Sequence, residues 1–268
     1  MSDQQVNRYF RHPVKAGEIG IEVEMEGRGE LWLAGDGINS WSQHHDGSLR
    51  GNAAEYVLTQ PVVREQVKPE LDLLKKNLDF YGYTIKDSIR AGVHVHVNVG
   101  DLSFTQVLAF ACTYFVLEIP LVNWCGPNRV GNHFCLRAID AEFLVDHIIQ
   151  TYNMADFNNF NTDAIRYASL NFKSLPRYGS LEFRALQTSP DFSVIEDWVK
   201  ALCNIKDHSL NYKHPREIID EFSKYSPQEW AELVLKDKFH LIANQPELTQ
   251  DLMKGMRIAQ DIAYFSFA

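Results

Sequence analysis

Three short stretches of this 268-residue chain carry chemically capable side chains at every second position. Glu22 and Glu24 stand in GIEVE, His94, His96 and Asn98 in GVHVHVN, and Glu182 and Arg184 in SLEFRAL. Residues two apart on a strand project to the same side, about 6.5 to 7 Å from each other. Each stretch therefore gathers its polar groups on one face. Taken singly, each has an ordinary explanation: a solvated edge, a partly buried histidine pair, a cross-strand ion pair. A strand face that only meets water usually mixes Thr, Lys, Ser and Arg, and these three do not. If the faces converge, they make a concavity that binds metals and anions. Carboxylate oxygens suit Mg²⁺ or Mn²⁺, and an imidazole beside them suits Mn²⁺ or a Mg²⁺ shared with phosphate. Crowded carboxylates repel unless cations lie between them, so more than one divalent ion is expected. Such ions can clamp a polyphosphate during phosphoryl transfer. The chain has no GxxxxGK[ST] or GxGxxG segment, so a nucleotide would rest on metals, arginines and the sheet. No cysteine pair has zinc spacing.

The elements that must hold these residues follow from periodicity. Residues 17–27 alternate strictly, with Ile19, Ile21, Val23 and Met25 on the apolar side, which predicts a half-buried strand. The Gly/Asn/Asp/Ser-rich stretch up to Asn52 reads as a long loop, and Gly35–Asn52 is the natural candidate for a lid that excludes water. Glu55–Val63 is a second strand. Leu71, Leu74, Leu78 and Tyr81 sit at helical spacing within 65–82. Residues 92–100 alternate again. Ser103 with Gln106 forms a capping box that opens an apolar helix to about Val122. A helix over 140–152 and alternating runs at 167–173 and 180–186 come next. The last 75 or so residues are helical, and Ser226, Pro227 and Glu229 start one helix there. The expected architecture is α+β: a curved, mainly antiparallel sheet of five to six strands forming a cavity, flanked by helices. Residues 1–190 would be the catalytic domain, and 191–268 a helical region packed onto it.

Composition narrows the partners. Asp and Glu number 35 against 26 Lys and Arg, a net charge of −9, which argues against a nucleic-acid grip. The apolar content of 45% supports a large core. Four isolated cysteines and a polar start, MSDQQVNRYFRHP, lead to the expectation of reduced thiols in a cytoplasmic protein. The longest apolar run, Val107–Leu117, stops at Glu118 and Pro120 and is too short to span a membrane.

GIEVE, HDGSL, EYV, GVHVHVN, RYASLNFKSL and SLEFRAL, in that order, resemble the amidoligase family. That family belongs to the carboxylate–amine ligase superfamily of glutamine synthetase and glutamate–cysteine ligase. The likeness covers roughly residues 17 to 190. It implies an ATP- and Mg²⁺-dependent ligase that phosphorylates a carboxylate to an acyl phosphate, which an amine then attacks. By position, Glu22 and Glu24 resemble the superfamily's first-strand metal glutamates, and Asp46 and Glu55 the next acidic ligands. His94 and His96 resemble the HxH strand that serves metal and nucleotide phosphates, with Asn98 beside them. Glu182 resembles a late metal carboxylate, Arg184 the neighbouring phosphate-contacting arginine, and Asn171 a substrate or phosphate hydrogen-bonder. In NRVGNHFCLR, Arg129 is the better candidate for the acyl phosphate or substrate carboxylate, and Arg137 the reserve. Family members usually carry Tyr where this chain has Phe134, so Cys135 reads as a buried thiol without a catalytic role. Residues 27–43 have no counterpart in the family pattern. The resemblance also implies peptide, protein or cell-wall substrates and a phage or bacterial setting. Three alternatives remain open: a phosphotransferase of the guanidino-kinase type, a non-catalytic nucleotide- and metal-binding module, and a metal-dependent hydrolase.

Overall fold

The alternating stretches become strands of one sheet. The structure is a computed structural model that describes residues 3–13, 15, 17–33 and 40–266. Its first elements are α1 (Val6–Phe10), β1 (Ile19–Arg28), β2 (Trp41–His44), β3 (Asn52–Leu58), α2 (Arg64–Phe80) and β4 (Thr84–Ile85). Next come β5 (Gly92–Asn98), α3 (Phe104–Trp124), α4 (Glu142–Met154), β6 (Leu170–Asn171), α5 (Ser174–Tyr178) and β7 (Ser180–Gln187). The C-terminal part holds α6 (Ser193–Ser209), α7 (Arg216–Phe222), α8 (Pro227–Leu235) and α9 (Leu248–Phe265).

The fold is α+β. The sheet runs β2-β3-β1-β5-β7-β6, with β4 paired to β1 off that path, and the strand pairs are antiparallel. Among the described residues it is an open, uncurled sheet of seven strands, flatter and one or two strands larger than the sequence suggests. The two additions are short. β2 falls inside the stretch read as loop, where Trp41 alone marks the buried face. β4 has two residues. The 167–173 run contributes only Leu170 and Asn171 to the sheet.

Ile19, Ile21, Val23, Met25, Val93, Val95 and Val97 are fully buried on the apolar face. Phe183 of β7 packs there against Phe110 and Tyr114 of α3, with ring centroids 5.5 and 4.9 Å apart. Ser103 and Gln106 cap α3 reciprocally, as their spacing requires.

Neither Glu118 nor Pro120 ends α3. Glu118 is buried, but its oxygens accept from the Ala138 amide and the Ser169 hydroxyl. Pro120 removes one helical donor near the C-terminal end, four residues after Val116, and α9 closes over the same carbonyls. A Cβ on Gly255 of α9 would lie 2.4 and 2.5 Å from the Phe115 and Val116 oxygens. Only glycine permits that approach. α3 has 21 residues, and an 18-residue stretch of it with mean hydropathy 1.6 is long and apolar enough to cross a bilayer, yet 94% of that stretch is buried in protein.

Helices beyond residue 190 share this core: α9 lies on α3, and α6 is tied to the sheet through Lys206, which bonds Glu18 and the Asn98 carbonyl.

Candidate active site

Strand register converts three separate motifs into one cluster. Glu22 stands opposite His94, and Glu24 opposite Glu55. His96 faces Glu182, which in turn faces Asn171. The polar face of β3, β1, β5 and β7 thus carries Glu55, then Glu22 and Glu24, then His94 and His96, then Glu182 and Arg184. Asp46 joins from the turn after β2, held by the Ser48 amide at 2.6 Å.

The histidines bridge the acids. His94 Nδ1 lies 3.1 Å from Glu22 Oε2 and 3.6 Å from Glu182, and its Nε2 lies 3.7 Å from Glu24. His96 donates through Nε2 to the other Glu22 oxygen at 3.2 Å, and its Nδ1 is 3.1 Å from the Ser180 hydroxyl. Arg184 pairs with Glu182 through Nη1. Asn171 donates to the second Glu182 oxygen at 2.7 Å, and the Gly92 amide donates to Glu24 at 2.9 Å.

Crowding divides the titration of these groups. Burial raises the Glu22 carboxyl, but the bonds from His94 and His96 outweigh it and hold Glu22 well below the usual range. Burial also opposes ionisation of Glu182, and Arg184 and the histidines overcome it. Glu55 forms no ion pair among the described residues, and His94 only partly offsets its surroundings. Burial, followed by the negative charge of Glu22, pushes it up to about 7. Burial likewise raises Glu24. The cluster therefore holds five carboxylates against one guanidinium and two imidazoles.

The donors fit divalent cations. In three groups the ligand atoms lie within 4.8 Å of one another: Glu22, His96 and Glu182; Glu22, Glu55 and His94; and Glu24, Asp46 and Glu55. Shared Glu22 and Glu55 make these adjoining sites, and oxygen with a minority of imidazole nitrogen matches Mg²⁺ or Mn²⁺.

A cavity of about 290 Å³ opens beside Glu22 and His96, over the bare backbone of Gly20 and between Tyr178 and Pro61. It shares Lys15, Glu18, Asn98 and Tyr178 with a second cavity of about 600 Å³ that reaches His12 and Asp101.

The remaining candidates occupy supporting positions. Asn98 bonds the Gly17 carbonyl and the Gly100 amide and forms a wall between the cavities. Asn171 orients Glu182. Arg137 is paired with Asp140 at 2.6 Å. Arg129 is buried and donates to the Arg184 and Ala185 carbonyls. Cys135 is buried near the Arg129 carbonyl, and burial pushes its thiol up, in keeping with an unreactive thiol. Of the proposed lid, residues 35–39 lie outside the described residues, Trp41–His44 is strand, and Asp46 belongs to the cluster.

Sequence reasoning missed Ser180, although it shares the Glu182 and Arg184 alternation. It also missed His44, which stands opposite Glu55 in β2. Lys15 and Tyr178 gave no sequence signal.

No curated protein matches the chain. A family model described as "Putative amidoligase enzyme" matches residues 44–206, a span from the last residue of β2 into α6 that starts after Glu22 and Glu24. That match covers more than half of the chain, and the protein belongs to the amidoligase family of ligase-type enzymes.

Proposed function

We propose that the protein is an ATP- and Mg²⁺-dependent carboxylate–amine ligase working through an acyl phosphate. The observation that carries this reading is the shared ligand set, in which five carboxylates and two histidines form three adjoining groups on four neighbouring strands and the turn after β2. One buried cation needs no such surplus, whereas a polyphosphate held by several cations does. Glu22, Glu24, Asp46, Glu55, Glu182 and His94 are the residues that would hold the ions, with His96 at their edge. When bound, the cations supply charge neutralisation at the transferred phosphoryl group. Arg184 adds a fixed guanidinium on the same face, and Asn171 keeps Glu182 oriented toward it. A carboxylate is a poor electrophile until phosphorylation provides a leaving group. The attacking amine must lose a proton, and a carboxylate of this face not engaged by a cation accepts it. The adjoining cavities leave room for the body of a substrate beside Glu22 and His96.

The test is an ADP-release screen with MgATP against pairs of carboxylates and amines (amino acids, peptides, polyamines), with mass spectrometry of the products. ADP release that requires both partners and yields an amide supports the ligase. A stable phosphorylated product without amide makes it a kinase. Absence of both ADP release and thermal stabilisation at millimolar MgATP overturns the reading.

A further inference from the structure

The pairing of β5 with β7 shifts by one residue between Val93 and Val95. Val95 faces Phe183, but Val93 faces Leu186. Arg184 and Ala185 thus both oppose the single residue His94, which is a β-bulge at the point where Arg184 enters the polar cluster. A bulge interrupts the ladder and leaves backbone groups that need other partners. Here they have them. The Arg184 and Ala185 carbonyls accept from Arg129 Nη2 and Nε at 2.7 and 2.8 Å. On the other edge of β7 the Arg184 amide continues the β6 register, donating to the Ser169 carbonyl at 2.8 Å. Arg129 is 1% exposed and forms no ion pair among the described residues, an uncommon state for a guanidinium.

The space it occupies comes from a missing side chain. Gly92 lies two residues before His94, so it belongs to the same face of β5, and a Cβ there would meet Arg129 Nη2 at 2.9 Å. Gly92 also donates its amide to Glu24. We infer that Arg129 is a positioning residue: seated over Gly92, it clamps the β7 bulge and thereby aims Arg184 at Glu182 and His94. This rests on the ligase reading for its catalytic consequence but not for its geometry. It differs from the role the family resemblance implies, because two of the three guanidinium nitrogens are bonded to main chain rather than available to a ligand.

Two loss variants test it, and a third grades the effect. Arg129→Met removes both clamp bonds, and Gly92→Ala leaves Arg129 in place but forces Nη2 aside. Arg129→Lys keeps one point of contact and should be intermediate, since an ammonium lacks the two-pronged geometry. Hydrogen exchange is the first readout: both variants should exchange faster across residues 180–188, with β1 and β3 unchanged in Gly92→Ala. The second is kinetic. For ADP release, kcat should fall ~100-fold while KM for MgATP shifts no more than about 3-fold, as misplacement of a charge-stabilising group predicts. Unchanged exchange in residues 180–188 for both variants overturns the clamp. So does loss of MgATP affinity with unchanged exchange, which would make Arg129 a direct ligand contact. A wild-type protein that releases no ADP with any substrate pair defeats the ligase reading, and the exchange experiment still decides the clamp.

Discussion

β1 and the residue just before it carry two charged networks four residues apart, and they are built on opposite principles. Around Glu22 and Glu24, acids outnumber permanent cations five to one. Around Glu18, two acids meet two bases: Arg64 binds Glu18 at 2.6 Å and Asp207 at 2.7 Å, and Lys206 binds Glu18 at 2.7 Å. The balanced network ties β1 to the start of α2 and the end of α6. It is complete without a ligand, and Glu18 is accordingly held down at about 2, with burial opposed by its bonds to Arg64 and Lys206. The other network is electrostatically unfinished. The contrast teaches that buried charge on one strand can serve cohesion or recruit an ion, and the local balance of signs distinguishes them.

Four measurements can break or sharpen that contrast. The largest effect belongs to the unfinished cluster: Glu22→Gln and Glu182→Gln should each lower nucleotide turnover ~10³-fold, on the scale of losing a key electrostatic contributor, while circular dichroism stays native. Turnover near wild type in either variant removes the cluster from the reaction. Next, Mn²⁺ or Mg²⁺ at 100 times its dissociation constant should stabilise the wild type by about 2.7 kcal/mol in chemical denaturation. Chelation should reverse it, and Glu22→Gln should abolish it. Third, Arg64→Met should cost ~2 kcal/mol, because it strands charge in a partly exposed site. That loss should be the same with or without chelator, and a chelator-dependent loss would merge the two networks.

The smallest effects are pH signatures of opposite sign. Glu55 has a folded value of about 7 against an ordinary 4.5. The native chelated protein then binds more protons than the unfolded chain between those values, so this contribution to stability falls as pH rises from 4.5 to 7. Glu55→Gln should flatten that slope and stabilise the chelated protein at pH about 8. Glu18 runs the other way. Its contribution is complete above 4.5 and is lost as pH falls toward about 2. Denaturation midpoints across both windows check the pair, and slopes of the same sign would contradict the division.

The polar faces were legible because strand alternation is local: Glu22 with Glu24, His94 with His96, and Glu182 with Arg184 need only period two. The capping boxes at Ser103 and Ser226 were legible for the same reason. What could not be read was long-range. Nothing near Glu22 says that His94 lies opposite, and nothing in SLEFRAL announces a bulge that is fixed by β5 and Arg129 together. β2 was hidden because its edge position lets polar Ser42, Gln43 and His44 surround a single anchoring tryptophan. Arg129 was read as an anion binder because sequence shows the charge and not the two carbonyls that its Nε and Nη2 meet. The reach of α3 to about Val122 was legible, but what lets it pass Glu118 and Pro120 was not. A glutamate and a proline normally end an apolar run, but here Ser169, Ala138 and Gly255 accommodate them.

That last accommodation governs the order in which the chain can mature. During synthesis α3 emerges long before α9, so the face of an apolar helix that α9 covers waits exposed until α9 has been made. Its final partner arrives through a contact of high sequence separation, which slows closure and lengthens exposure to aggregation. A C-terminal truncation that removes α9 would leave every residue of the acidic cluster intact on paper and still yield a protein retained by chaperones. The glycine at 255 therefore bears on the assembly of the core and not on the chemistry.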